Sequence, residues 1–374
     1  MPERDLKVLL MVEGVDWYGW KTVEVTQQMD AVAGSFSLGL ADKWEHGSEA
    51  IPLAAGLACE LAYGDHPMIN GYIGKFRPAF SATDHSITVS GRDKSADLVD
   101  CSAIHKPGHW QGLTLDQLAA ILAEPFGVGV TVEGDVGEPF PSFKLEQGES
   151  VFEALDRACK QREILAMPDG AGNIVLLRVG SRKASTALVQ GKNILSSSAD
   201  FDLDDRYSDY IVQGQQPGND DIWGDGAAAV SAGAKDPAVK RYRPFIVRAE
   251  DQVNASSAKA RAEWECAVRA ARAVSVDISV QGWLDGDALW AANSLVPVEI
   301  PYLRIEQELL IAKVVFSKGE QGTITKLTCR DPNAFLPEPK KKEAAAASGG
   351  GDSWMDLQEA SASGASAAHQ DIRG

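Results

Sequence analysis

Strict alternation of apolar and polar residues limits this chain's fold more than any other feature. Val274, Val276, Ile278 and Val280 alternate with Ser275, Asp277, Ser279 and Gln281. Phe36, Leu38 and Leu40 alternate with Ser35, Ser37 and Gly39, and Ile87 and Val89 with Thr88 and Ser90. Successive side chains of a strand point to opposite faces, so each run predicts a strand with one buried face. Similar segments fill residues 6 to 100: "LKVLLMVEG", "WKTVEVTQQMD", "IPLAAGLACELAYGD" and "PMINGYIGKFRPAF". Turn residues between them imply a sandwich or barrel.

Two hairpins far apart share a rhythm. "GYIGKFRPAF" runs through a short loop into "ITVSGRD", and "LLIAKVVFSKGEQG" runs into "ITKLTCRD". Both second strands end in Arg-Asp, at Arg92-Asp93 and Arg330-Asp331. A duplicated β domain and a chance likeness of two hairpins both fit these residues. Arg92-Asp93 has no His or Cys beside it, which points to a structural role. Arg92 should bond a carboxylate or carbonyl, and Asp93 should open a turn into a short helix within "DKSADLVD".

Near residue 105 the period changes. Leu115, Leu118, Ala119 and Leu122 fall at helical spacing after a Thr114/Gln117 capping box, and Pro125 and Gly127 stop the helix. Ser150 and Glu153 box a second helix with a Phe152, Leu155, Cys159 stripe, followed by a hairpin around Asp169-Gly170. Strands resume after residue 183. The segment 215–244 is rich in Gly, Ala and Asp and reads as an exposed loop. Residues 255–272 predict a helix with Trp264, Val268 and Ala271 on one stripe and a Glu265–Arg269 pair. The predicted organisation is a first β domain at 1–104, a small α+β domain at 105–182, a second β domain at 183–336 and a flexible tail at 337–374. The tail's Ala/Ser/Gly composition cannot bury enough apolar surface to order it. Trp354, Met355 and Leu357 could form a docking patch there.

The formal net charge of −17 opposes a broad nucleic-acid-binding face. Cys59, Cys101, Cys159, Cys266 and Cys329 are scattered, so buried reduced thiols are expected rather than disulfides or zinc. The N-terminal apolar run is too short for a signal core or a membrane span.

Candidate sites reduce to structural readings. Pro107 and Gly108 prevent the helix that would align His105 with His109 as metal ligands. The acidic runs 202–209 and 219–226 lack the calcium-loop pattern. "WLDGDALW" (283–290) reads as a turn with packing aromatics, and Trp17, Tyr18 and Trp20 as a cluster at a barrel edge. The sequence has no nucleophile elbow, no P-loop lysine and no dinucleotide fingerprint. Catalytic, cofactor-binding and metal-binding residues are therefore assigned as none. A hydrolase could still hide two distant carboxylates.

The order of these segments resembles the baseplate hub proteins of contractile-tailed phages, most closely the Mu-like tail hub within the late control D group. "VTQQMDAVAGSFSLGLAD", "SGRDKSADLVDCSA", "GESVFEALDRACKQREILAMPDGAGNIVLLR" and the span from "GWLDGDALW" to "TCRDPNAF" carry the resemblance, over about residues 6 to 336. It implies a β-rich α+β fold, with two tube-like β-barrel domains flanking the small insert. It also implies a homotrimer whose pseudo-sixfold ring joins a sixfold tail tube to a threefold central spike and leaves a channel for DNA. Strand 274–280 is one candidate to line or close that ring. Implied partners are a separate spike protein, the tail tube and the baseplate wedge. DNA would pass without specific binding, and there would be no cofactor and no membrane insertion. The implied place is the virion tail, assembled in host cytoplasm, and the implied role is not enzymatic. A tail-borne cell-wall hydrolase and a carbohydrate- or receptor-binding module are the alternatives.

Overall fold

The computed structural model describes residues 6–41, 52–81, 85–215, 230–249 and 254–336. The first half forms β1 (Val8–Val12), β2 (Thr22–Gln28), β3 (Ser35–Ala41), β4 (Ala58–Tyr63), β5 (His66–Phe80) and β6 (His85–Asp93). All neighbours are antiparallel, in spatial order β2-β3-β6-β5-β4-β1. Alternation sets the faces as expected: Val23, Val25, Phe36, Leu38, Ile87 and Val89 all point into one core.

A short α1 (Ala96–Asp100) follows β6, and then α2 (Leu115–Ala123), β7 (Val130–Val132), α3 (Val151–Lys160), β8 (Leu165–Pro168) and β9 (Ile174–Leu177). Thr114/Gln117 and Ser150/Glu153 form both capping boxes, each satisfying helix N–H groups that have no partner within the helix. Leu98, Leu115, Leu118, Leu122, Leu155, Cys159, Ile174 and Leu176 make a separate core. The α3 stripe is Val151, Ala154, Leu155, Ala158 and Cys159, with Phe152 at its half-buried margin.

The remaining strands longer than three residues are β10 (Ile194–Phe201), β11 (Asp209–Gly214), β12 (Val230–Lys235), β13 (Pro244–Arg248), β14 (Val274–Gln281), β15 (Ser294–Ile300), β16 (Ile305–Gly319) and β17 (Gly322–Arg330), with α4 (Ala255–Arg272) before β14. The order β10-β14-β17-β16-β15 repeats β2-β3-β6-β5-β4, counted strand for strand along the chain.

The repeat extends to the register. Tyr72 faces Arg92, Ile73 faces Gly91 and, past a bulge at Gly74, Lys75 faces Ser90. Leu310 faces Arg330, Ile311 faces Cys329 and, past a bulge at Ala312, Lys313 faces Thr328. One shift of 238, the distance from Arg92 to Arg330, carries each residue of the first set onto the second. Gly56 (φ 93°) donates its N–H to Ile73 O at 2.7 Å, and Asn293 (φ 64°) donates to Ile311 O at 2.8 Å. A chance likeness of two hairpins does not reproduce pairing order, bulge and left-handed lead-in together. The Arg-Asp endings belong to a duplicated module.

The two modules share one fourteen-stranded sheet, because the free side of β2 pairs with β16: Lys313 faces Gln28, Val315 faces Thr26 and Ser317 faces Glu24. This corrects the expected pair of barrels. The edge that would close the first module on itself is taken by the second module, and among the described residues no sheet closes.

Two further expectations change. Strand 274–280 is interior, flanked by β10 and β17, so it cannot close a ring by edge pairing. The segment 215–244 is not all loop, since β12 pairs with β11 in a small sheet against α4. Val230, Ala232 and Ala234 do alternate with Ser231, Gly233 and Lys235, but alanines facing Ala258 and Ala262 give a faint apolar signal. On α4 the buried stripe is Ala258, Ala262, Glu265, Val268 and Ala271, with Trp264 half-exposed. Buried Glu265 accepts from Arg261 at 3.0 Å and Arg269 at 2.9 Å. Both guanidiniums compensate its desolvation.

Candidate functional site

A sheet that stops without closing leaves backbone donors and acceptors along its edges. Two such edges concern the duplicated modules. β10 pairs with β14 on one side and with no strand on the other among the described residues. Among the described residues, Lys75 to Phe80 of β5 pair with β6 only, because β4 covers no further than Tyr72. The equivalent stretch of β16, Lys313 to Lys318, is covered by β2.

Both edges expose large apolar side chains: Phe80 is 87% exposed, Phe201 59% and Leu203 53%. Their charges are opposite. Lys75 and Arg77 line the β5 edge, and Asp200 and Asp202 line and follow β10. Among the described residues neither Lys75 nor Arg77 has an ion-pair partner. Pro78 and these charges are the devices by which natural edge strands resist indiscriminate pairing.

The Arg-Asp corners are architectural. Exposed Arg92 bonds exposed Asp100 through both guanidinium ends, which holds Asp100 below the usual carboxylate range. Asp93 Oδ1 accepts the Ser95 N–H at 3.3 Å and leads into α1. Asp331 Oδ1 accepts the Asn333 N–H at 2.8 Å and leads into the short turn Pro332–Phe335. The first corner lies beneath the insert, where Ser95 Oγ donates to Val32 O at 2.6 Å, and Asp93 is 1% exposed. Burial pushes its carboxyl up to about 7, against the Ser95 N–H that favours the charged form. Its Oδ2 is buried without a partner.

The other residues weighed from sequence do not converge. His109 Nε2 meets Ser142 Oγ at 2.9 Å, while the His105 ring packs edge-on against Trp110. In the 202–209 run Asp202 caps Asp204, Arg206 pairs with Asp236 at 2.5 Å and Asp209 accepts from Ser208. The 219–226 run, the 337–374 tail and its Trp354, Met355 and Leu357 lie outside the described residues. Among the described residues no three His, Cys, Asp or Glu side chains gather as a metal site. Trp283 and Trp290 are buried as expected, on either side of the Leu284–Leu289 turn. Of the Trp17 cluster, Trp20 is buried and only Tyr18 projects, so no exposed aromatic row results. The cysteines are free; burial raises Cys59, Cys159 and Cys329 to about 12, which keeps them as unreactive thiols.

The edges at 75–80 and 194–203 were not singled out from sequence. Superposing the halves by their Arg-Asp endings aligns 75–80 with 313–318, but only the structure shows that 313–318 has a partner in β2 that 75–80 lacks.

Comparison with known proteins gives a consistent picture. Residues 7–93 match the N-terminal domain of Mu phage baseplate assembly protein GpP-like proteins, and residues 95–178 the second domain of baseplate hub protein gp44-like proteins. Residues 206–264 match the third domain of NMB1110-like tail proteins, and residues 254–338 the fourth domain of Mu phage GpP. The chain is 36% identical to the baseplate hub protein gp44 of Escherichia phage Mu over 339 residues, covering 88% of this chain and 89% of that protein. The crystal structure of the 43 kDa tail protein of prophage MuSo2 from Shewanella oneidensis is 32% identical. It superposes with a TM-score of 0.78, over 89% of this chain and all of that one. A tail protein from Neisseria meningitidis MC58, at 22% identity and TM-score 0.72 over 89% of this chain and 98% of that one, shares the fold.

Proposed function

Because this chain belongs to the family of Mu-like phage baseplate hub proteins, we propose that it acts as a homotrimeric adaptor ring between a sixfold tail tube and a threefold central spike. As a baseplate hub it is a component of the virion tail. No helix among the described residues is long and apolar enough to cross a membrane. The observation that carries the adaptor reading is the internal joint: module two receives the β2 edge of module one on β16. A head-to-tail contact between like modules generates a ring when its rotation closes. Three chains supply six modules, so exact threefold symmetry imitates sixfold symmetry. This reading divides the chain into modules at 1–104 and 183–336, the insert at 105–182 and the tail at 337–374.

Each module adds four strands to the wall, β2, β3, β6 and β5 or β10, β14, β17 and β16. Three copies of eight make twenty-four. At about 4.8 Å per strand the wall is roughly 37 Å across, more if the strands tilt, and side-chain layers of about 5 Å leave a channel of roughly 25 Å. The apolar face is already packed, so the polar face lines the channel. That face carries Lys313, Lys326 and Arg330 beside Glu24 and Asp277, a mixture of signs. The local mixture, rather than the net charge of −17, is what would let DNA pass without tight binding. The ring works by geometry and not by catalysis. The spike, the tube and the wedge are its partners, and assembly takes place in host cytoplasm.

Light scattering across concentration tests the reading. A trimer of about 120 kDa, three times the 40.0 kDa chain, that co-purifies with the spike supports it. A stable dimer, or a trimer whose electron-microscopy averages lack a central hole, overturns it.

A further inference from the structure

The internal joint is a template for the joint between subunits, because the modules correspond residue by residue. Ser35 faces Arg92 and Ser275 faces Arg330, so Ser275 stands where Ser35 does. Thr26 faces Ser35 and Asp200 faces Ser275, so Asp200 stands where Thr26 does. The shift of 238 places Lys75, Phe76, Arg77 and Pro78 where Lys313, Val314, Val315 and Phe316 stand. In the internal joint Lys313 faces Gln28, Val314 faces Gln27 and Val315 faces Thr26.

Carrying that register across, and resting on the ring reading above, we propose that β10 of one copy adds antiparallel to the 75–80 edge of β5 in a second copy of this chain. The register is fixed by Lys75 opposite Asp202, Phe76 opposite Phe201 and Arg77 opposite Asp200.

Several independent observations meet in this register. Nothing in the transfer uses charge, yet it sets Lys75 and Arg77, which have no ion-pair partner among the described residues, against both acids of the other edge. Opposite charges across a strand pair stabilise it, and like charges in a slipped register oppose it. Phe76 already leans on the main core. Phe201, now 59% exposed, would extend that core across the joint. Leu203 occupies the place of Met29, which is 3% exposed at the internal joint and donates its N–H to Ala312 O at 2.9 Å. Leu203 is 53% exposed here, and its N–H would reach the matching Gly74 carbonyl. Pro78 has no N–H to give and would face Ala199, a tolerable loss on an edge strand.

The Ala312 carbonyl points to β2, so by strand alternation Val315–Thr26 is a non-hydrogen-bonded pair, the type in which side chains stand closest. Arg77–Asp200 inherits that geometry, within reach of a disulfide. The full chain carrying Arg77→Cys and Asp200→Cys should oxidise to covalent dimers and trimers on a non-reducing gel. Each single variant, and Arg77→Cys with Phe201→Cys on opposite faces, should remain unlinked. Asp200→Arg alone should raise the concentration at which trimers form tenfold or more, and adding Arg77→Asp should restore it. A 120 kDa trimer that neither links nor responds to the charge swap overturns this register and leaves the ring standing. A monomer at every concentration that also fails to link overturns both. An edge that protects Phe80 and Phe201 only when spike or tube protein is added would show a different occupant and would also sink the proposal.

Discussion

Replacing Asp93 by Asn should change how the stability of the protein depends on pH. Burial raises the Asp93 carboxyl from 3.8 to about 7, so between these values the folded state holds a proton that the unfolded state has released. Stability from this group is complete below about pH 4 and is lost as the pH rises through 7. Each tenfold gain in proton affinity is worth ~1.36 kcal/mol, which makes the loss about 4 kcal/mol at most. Asp100, Glu133, Asp209 and Asp236 are shifted the other way by their partners, so their contributions change below about pH 5. Asn keeps the acceptor for the Ser95 N–H and places an NH2 where the unpartnered Oδ2 lies, which costs about 1–3 kcal/mol at every pH. The slope, not the offset, is therefore the diagnostic. Urea unfolding at fixed protein concentration should give wild-type stability that falls relative to Asp93→Asn by a few kcal/mol from pH 5 to 8. Taking the difference at each pH removes the histidines, which both proteins share. A flat difference across this range would falsify the claim that the first Arg-Asp corner buries a titrating carboxyl.

Two further substitutions test the module corners. A Cβ at Gly71 would lie 2.0 Å from Arg92 O and 2.8 Å from the Asp93 Cα. Gly71→Ala should thus cost about 3 kcal/mol or prevent soluble expression; an unchanged urea midpoint would contradict the close approach. Asn293 combines a left-handed backbone with bonds to Gly180 N at 2.7 Å and Arg178 O at 2.8 Å. Asn293→Ala should lose about 2–4 kcal/mol, and Asn293→Gly should recover only the backbone part, about 1 kcal/mol. Equal midpoints for the two variants would show that the left-handed backbone costs nothing, and a glycine variant as stable as the wild type would show that the side-chain bonds contribute nothing.

How much of the fold was legible follows from which signals are local. Alternation fixed the faces of β3, β6 and β14 because each reads from a few neighbouring residues. The capping boxes fixed the starts of α2 and α3 for the same reason. The β12 strand was missed because its inward residues, Ala232 and Ala234, pack on the alanines of α4 and carry little hydrophobic contrast. Barrel closure was misjudged because it depends on which edge captures β2, a contact of nearly three hundred positions in sequence separation that no periodicity encodes. Strand 274–280 alternates cleanly because one face is buried, and alternation does not report whether the strand's edges are paired. The candidate edges carry weaker patterns, since an edge must stay soluble until it finds its partner.

That requirement explains why the two joints differ while the modules agree. The β2–β16 joint forms within one chain, where connectivity keeps the partner at high effective concentration. Its outward pairs, Lys313 with Gln28 and Val315 with Thr26, need no charge to find each other. The proposed β10–β5 joint would form between chains by diffusion. A long, flat, neutral apolar edge would pair with any exposed strand in the cell. Putting cations on one edge and acids on the other makes like edges repel and unlike edges attract, and electrostatic complementarity acts on encounter rate and register more than on final affinity. The two joints thus share one geometry, but the inner one sets Lys313, Lys318 and Glu24 opposite uncharged residues, whereas the proposed outer one sets charge against opposite charge. Neutralising Lys75, Arg77, Asp200 and Asp202 together should slow trimer formation in a stopped-flow mixing experiment and remove its salt dependence, while leaving monomer stability within about 0.5 kcal/mol. Assembly that stays equally fast and equally insensitive to salt in both proteins would mean that the charges do not guide the joint.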